Sequence, residues 1–186
     1  MRVIIFDNWE EQLKLIKDLF VDSGNEIITV KVDEKKTQDD LLNNLIEMLG
    51  NDTCFVFDLF LRIAEEKRRK DDIEECIAIN VVRDLLNYIS TQDLHYSNLR
   101  IFFMSGLIFA ENNTVAKVDK LFGKNIYYVA TLQKPIITTS ENSFKLDESK
   151  FMGKLYQNNL ESEYWTYSVK KLFVNMILHG LHARRV

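Results

Sequence analysis

Short apolar runs alternate along this chain with longer stretches whose apolar residues recur at helical spacing. Arg2–Phe6 reads as a buried strand, and Leu13, Ile16, Leu19 and Phe20 then place one helix face over Trp9–Val21. Glu26–Val32 alternates with β-branched residues, which predicts a second strand. Thr37 with Asp40 three residues on marks a helix start; Leu41, Leu42, Leu45, Ile46 and Leu49 line its apolar face, and Gly50 is the expected stop. Thr53–Phe57 is a third buried strand and ends at Asp58. Helical spacing of Ile73, Cys76, Ile77, Val81, Leu85 and Ile89 spans Asp72–Ile89. Leu99–Met104 and Ile126–Leu132 are the fourth and fifth strands, with a short helix over Thr114–Phe122 between them.

Strands apolar on both faces, each followed by a helix, require cover on both sides. The pattern therefore predicts an open, doubly wound α/β fold with a five-stranded parallel sheet. In such folds functional groups gather at the carboxyl ends of the strands, near the switch point of the strand order. The charged stretch Arg62–Asp72 reads as a solvated face or surface loop. After Pro135 the pattern weakens. Lys150–Asn158 and Tyr164–Leu181 have helical spacing, and the latter carries a wide apolar face that suits either core packing or a homodimer contact. The division expected is a domain over 1–136 and a largely helical C-terminal extension over 137–186.

Composition narrows the class. The 186 residues include 46% hydrophobic side chains with twelve Phe and seven Tyr, enough for a real core, so disorder is excluded as the dominant state. A formal charge of −4 argues against a dedicated nucleic-acid binder. Two cysteines, Cys54 and Cys76, make no disulfide framework and read as reduced packing residues. An early charge argues against a signal peptide, and the longest apolar stretch, near Ile101–Ala110, falls well short of the ~20 residues a membrane span needs. The expectation is a cytoplasmic protein without membrane or nucleic-acid contacts. The missing glycine-rich loops exclude a P-loop and a dinucleotide site.

The chemistry lies in the polar residues that close the apolar strands. Strand one ends in Asp7-Asn8, strand three in Asp58, strand four in Ser105-Gly106 and strand five in Lys134-Pro135. A parallel sheet brings these to one edge. Two carboxylates there attract a hard cation such as Mg²⁺. One carboxylate can act as a nucleophile towards phosphorus, while metal, ammonium and hydroxyl neutralise the transferred oxygens.

Asp7, Asp58, Ser105 and Lys134-Pro135, in this order and at these strand ends, resemble the receiver domain of two-component response regulators over roughly Met1–Ile136. The resemblance implies a flavodoxin-like sheet in which Asp58 accepts a phosphoryl group from a histidine kinase or phosphotransfer partner. It implies Mg²⁺ held by Asp7, the Asn8 position, Asp58 and the backbone carbonyl of Phe60, with Lys134 and Ser105 contacting the phosphoryl group. The signal would pass through contacts with a downstream protein, since residues 137–186 leave no room for a familiar DNA-binding module. No enzymatic turnover is implied beyond slow autodephosphorylation.

With departures from the family pattern, the resemblance leads to the expectation of an atypical, stand-alone receiver. Asn8 stands where a second acid is usual, which weakens Mg²⁺ binding. Thr131 replaces the usual aromatic three residues before the lysine, and Arg62 replaces a proline four residues after the acceptor. These departures suit a second reading, a pseudo-receiver that acts as an adaptor and is never phosphorylated. A third, a phosphohydrolase of the haloacid dehalogenase type with Asp7 as nucleophile, ranks below both. It needs an Asp at Trp9 and leaves Asp58 unexplained.

Overall fold

The computed structural model describes residues 1–33, 35–61, 63, 73–105, 114–133, 136–138, 144–146 and 174–179. Five strands, β1 (Arg2–Asp7), β2 (Glu26–Lys31), β3 (Thr53–Asp58), β4 (Arg100–Ser105) and β5 (Tyr128–Gln133), form one sheet in the order β2-β1-β3-β4-β5. Every neighbouring pair is parallel. This is the flavodoxin-like, doubly wound arrangement expected, and its order reverses between β1 and β3.

Strand alternation sorts the core into two layers. Ile4, Phe6, Phe55, Phe57, Ile101 and Phe103 point to one face, where α2 (Gln38–Glu47), α3 (Ile77–Thr91) and α4 (Thr114–Phe122) cover them. Val3, Ile5, Cys54, Val56, Phe102 and Met104 point to the other, under α1 (Glu10–Asp18) and the helical segment 174–179. Phe6 and Phe57 stack with centroids 4.8 Å apart and planes 13° from parallel. Fully burying a side chain of this size is worth about 1.5–3 kcal/mol, so the aromatic row is a main source of stability. Cys54 and Cys76 are both buried thiols. Burial pushes the Cys54 thiol up to about 12, which makes it inert packing.

Several predicted boundaries move for local reasons. Thr37 and Asp40 close the expected capping box at the start of α2. The helix then ends on Met48 in right-handed geometry, without a left-handed glycine. Gly50 serves close approach instead, because a Cβ there would lie 3.1 Å from Thr53 Oγ1. The continuous helix expected from Asp72 is a 3₁₀ turn, Ile73–Glu75, and an α-helix that starts after Cys76 in extended geometry. Ile126, expected to open the fifth strand, is 82% exposed, and β5 begins at Tyr128.

Two features follow β5. Ile136–Thr138 (β6) and Phe144–Leu146 (β7) pair antiparallel where no element was predicted. Residues 174–179 are helical, within the stretch expected to be so, and Ile177 is fully buried in the α1-side layer. Arg100 Nη1 donates to the carbonyl of Leu178 at 2.6 Å and binds that helix to the start of β4. The proposed helix over Lys150–Asn158 lies outside the described residues. No helix among the described residues is long and apolar enough to cross a membrane.

Candidate functional site

β1 and β3 are hydrogen-bonded neighbours in register up to Phe6 opposite Phe57, so Asp7 and Asp58 stand one step beyond that pair on adjacent strands. Parallel neighbours lie about 4.8 Å apart. Both acids follow Val3/Ile5 and Cys54/Val56 in the alternation, which sends them to the α1 side of the sheet. Asp7 is fully buried and Asp58 is 8% exposed. The sequence thus places two carboxylates at the switch point, where the helices that follow β1 and β3 leave in opposite directions.

Main-chain bonds fix both groups. Asp58 pairs in register with Met104 of β4, and the next amide, Leu59 N–H, donates to the Met104 carbonyl at 2.8 Å. Asp7 carries β1 to its end, where the Val32 N–H donates to its carbonyl at 2.9 Å. Its side chain turns back on the chain, with Oδ1 accepting the Trp9 N–H at 3.0 Å. Trp9 is the N-cap of α1 and makes no side-chain cap bond, so the Asp7 carboxylate anchors the start of that helix.

Asn8 is directed elsewhere. Its Nδ2 donates to the carbonyl of Val32, 2.9 Å away at the end of β2. Phe60, two residues beyond Asp58, is half-buried against the α3-side layer. Ser105 ends β4, fully buried, and its alternation with Phe103 puts it on the α4 side, opposite the acids, at the same sheet edge. Lys134 and Pro135 lie outside the described residues, as do Arg62 and Gly106. The donor set suits Mg²⁺, which uses one or two carboxylates and keeps several waters. Among the described residues no group of three or more His, Cys, Asp or Glu side chains gathers to hold a metal ion.

Thr131 has a structural role that sequence reasoning missed. The β4–β5 register shifts by one residue, with Ile101 opposite Tyr128 but Phe102 opposite Ala130. The extra residue, Val129, puts Tyr128 and Thr131 on the same face, although three positions along a regular strand would separate them. Tyr128 Oη and Thr131 Oγ1 are 3.0 Å apart. Tyr128 Oη also donates to Asp119 Oδ1 of α4 at 2.7 Å. A bulge has no reliable single-sequence signature, so this trio was not legible in advance.

A hollow lined by Arg2, Glu26, Asp52 and Thr53 opens at the amino ends of the strands, on the opposite edge from the acids. Arg2 there bonds the Met48 carbonyl and Thr53 Oγ1, so both of these lining side chains are engaged in structural contacts.

No protein-family model matches this chain, and no curated protein matches it either. Among solved structures it is similar to the crystal structure of a response regulator receiver protein from Pseudoalteromonas atlantica. Identity is 10% and the TM-score 0.41, over 74% of this chain and 87% of that one. The strand order β2-β1-β3-β4-β5 and its parallel register define the fold.

Proposed function

We propose that this protein is a phosphorelay switch in which Asp58 accepts a phosphoryl group from a phosphohistidine of a histidine kinase or phosphotransfer protein. The arrangement that supports this most is the pair Asp7 and Asp58, buried on adjacent strands at the switch point, with Ser105 at the end of the next strand. In the transfer a bond forms between an Asp58 carboxylate oxygen and phosphorus. The donor's N–P bond breaks, and its imidazole recovers a proton from solvent. Asp7, Asp58, the Asn8 amide oxygen and the Phe60 carbonyl would hold Mg²⁺, which supplies charge neutralisation on the phosphoryl oxygens. Ser105 and Lys134 would donate to those oxygens.

Output on this reading is contact with a downstream protein, and turnover is limited to slow loss of the protein's own phosphoryl group. It puts the protein in the cytoplasm, where buried thiols such as Cys54 and Cys76 stay reduced. One observation favours the adaptor alternative: Asn8 is engaged with Val32, so the pocket carries one acid fewer and part of its rim serves the fold.

Intact mass after incubation with a small-molecule phosphodonor and Mg²⁺ tests the proposal. A labile gain of one phosphoryl group, absent in Asp58→Asn and absent without Mg²⁺, is the expected result. No gain, together with no Mg²⁺ binding by titration, overturns it in favour of the adaptor.

A further inference from the structure

Lys31 closes β2 beside the candidate site. It is the register partner of Asp7 across the β1–β2 ladder, and it follows Ile27 in the strand alternation, which puts it with Asp7 on the α1 side. Two bonds hold this strand end to β1: Val32 N–H donates to the Asp7 carbonyl and Asn8 Nδ2 donates to the Val32 carbonyl, each at 2.9 Å. The main chain under Lys31 is therefore fixed against that of Asp7, about 4.8 Å away.

The head group of Lys31 leans towards α1. Its Nζ lies 3.9 Å from the carboxylate of Glu10, the first residue of that helix, and Lys14 approaches the same carboxylate at 3.1 Å. Glu10 stays ionised, since the Lys14 hydrogen bond, then the charges of Lys14 and Lys31, hold its carboxyl below the usual value. Two ammonium groups on one carboxylate leave a positive charge over within the trio. Asp33, two residues past Lys31, is turned to the Lys35 amide at 2.9 Å. All three side chains of the trio are more than half exposed, and exposed ion pairs add little stability. The fold thus gains little from a charge placed next to a buried pair of acids.

We propose that Lys31 sets the charge of the candidate site: its ammonium, held on the β2 flank of Asp7, opposes a divalent cation at Asp7 and Asp58 and lowers the affinity for it. Lys31 acts here through its field and not as a metal donor. At low salt, charges closer than a Debye length interact through solvent, so the effect needs no direct contact. Asn8, which carries no charge, and Lys31, which adds a positive one, act in the same direction, and the Asn8–Val32 bond ties the two together. The inference rests on the metal site of the phosphorelay reading.

Calorimetric titration of the full chain with Mg²⁺ tests it. Lys31→Met keeps the apolar stem of the side chain and removes the charge. It should bind Mg²⁺ about three- to tenfold more tightly than wild type at low salt, while Lys31→Arg should bind like wild type. Lys31→Met also releases Glu10, so the double variant Glu10→Gln/Lys31→Met must still bind more tightly than Glu10→Gln alone. The gain should shrink as KCl rises from about 0.01 to 0.5 M, which a purely structural effect would not do. Equally tight binding by Lys31→Arg and Lys31→Met overturns the inference, as does equal affinity of wild type and Lys31→Met. If the protein in that last case still gains a phosphoryl group on Asp58 from acetyl phosphate and Mg²⁺, the inference falls alone. No Mg²⁺ binding by wild type or Lys31→Met, with no phosphoryl gain, overturns it together with the phosphorelay reading.

Discussion

The side-chain amide of Asn8 donates to the main-chain carbonyl of Val32 across 2.9 Å, and the Val32 amide donates to the carbonyl of Asp7. The end of the edge strand β2 is therefore stitched to the end of β1 at the candidate site. An ionised aspartate at position 8 cannot make the first of these bonds, because a carboxylate only accepts. An amide at this position thus supplies a donor that an acid could not.

Asn8→Asp should accordingly trade stability for metal affinity. Without Mg²⁺ the variant should unfold about 1–2 kcal/mol more easily, from a lost hydrogen bond and two oxygens facing each other. Mg²⁺ should bind it more tightly than wild type through the added charge. Urea titrations with and without Mg²⁺ read both effects. Unchanged stability in the absence of the ion would show that the Val32 bond has no structural weight.

Thr37→Ala removes one half of the α2 capping box and should cost ~1 kcal/mol. The other half is titratable. Hydrogen bonds from the Thr37 backbone, then from its side chain, hold the Asp40 carboxyl below its ordinary value. A depressed carboxylate contributes stability above its unfolded pKa of about 3.9 and loses it as pH falls through the lower folded value. The stability difference between wild type and Asp40→Asn should therefore shrink from pH 6 to pH 3. A constant difference over that range would rule out the carboxylate as its source.

Ile177→Ala should destabilise the protein by ~2–5 kcal/mol, because the residue fills the layer between α1 and the sheet. Cys54 reports on the same layer: its thiol is buried and lies beneath the Ile177 carbonyl. A chain ending near Glu161 should expose it to an aromatic disulfide reagent within minutes under conditions where the full chain barely reacts. Equal reactivity of the two chains, with both folded, would mean that the segment contributes little cover and leave its apolar face available for a dimer.

Ser105→Ala should still gain a phosphoryl group on Asp58 under the phosphorelay reading, since the nucleophile and the metal donors are untouched. The loss of a donor to the phosphoryl oxygens should slow that gain. A time course of intact mass reads the rate, and an unchanged rate in the alanine variant would remove Ser105 from the phosphoryl-contacting set.

Burial and period carry most of what was legible in advance. Five apolar runs too short for helices, with amphipathic stretches between them, leave little choice but a covered parallel sheet, and a parallel sheet sends Asp7, Asp58 and Ser105 to one edge. The capping box of Thr37 and Asp40 is likewise a short-range signal between residues three apart. These features follow from local steric and hydrophobic preferences, which a linear pattern records directly.

Other features depend on contacts between segments far apart in the chain. That Asn8 serves Val32 requires β2 to lie beside β1. That Thr131 belongs to a hydroxyl chain requires a one-residue bulge against β4 and an acid on α4. The hairpin of β6 and β7 escaped prediction because three-residue strands give too few positions to establish a period. Whether the apolar face near Ile177 would meet the sheet or a second copy was open in the sequence, because hydrophobicity has no direction. In the tertiary structure Ile177 itself is buried over β3, with Arg100 holding the neighbouring carbonyl, because the long-range packing of residues 174–179 on the sheet is what gives that side chain a place to go.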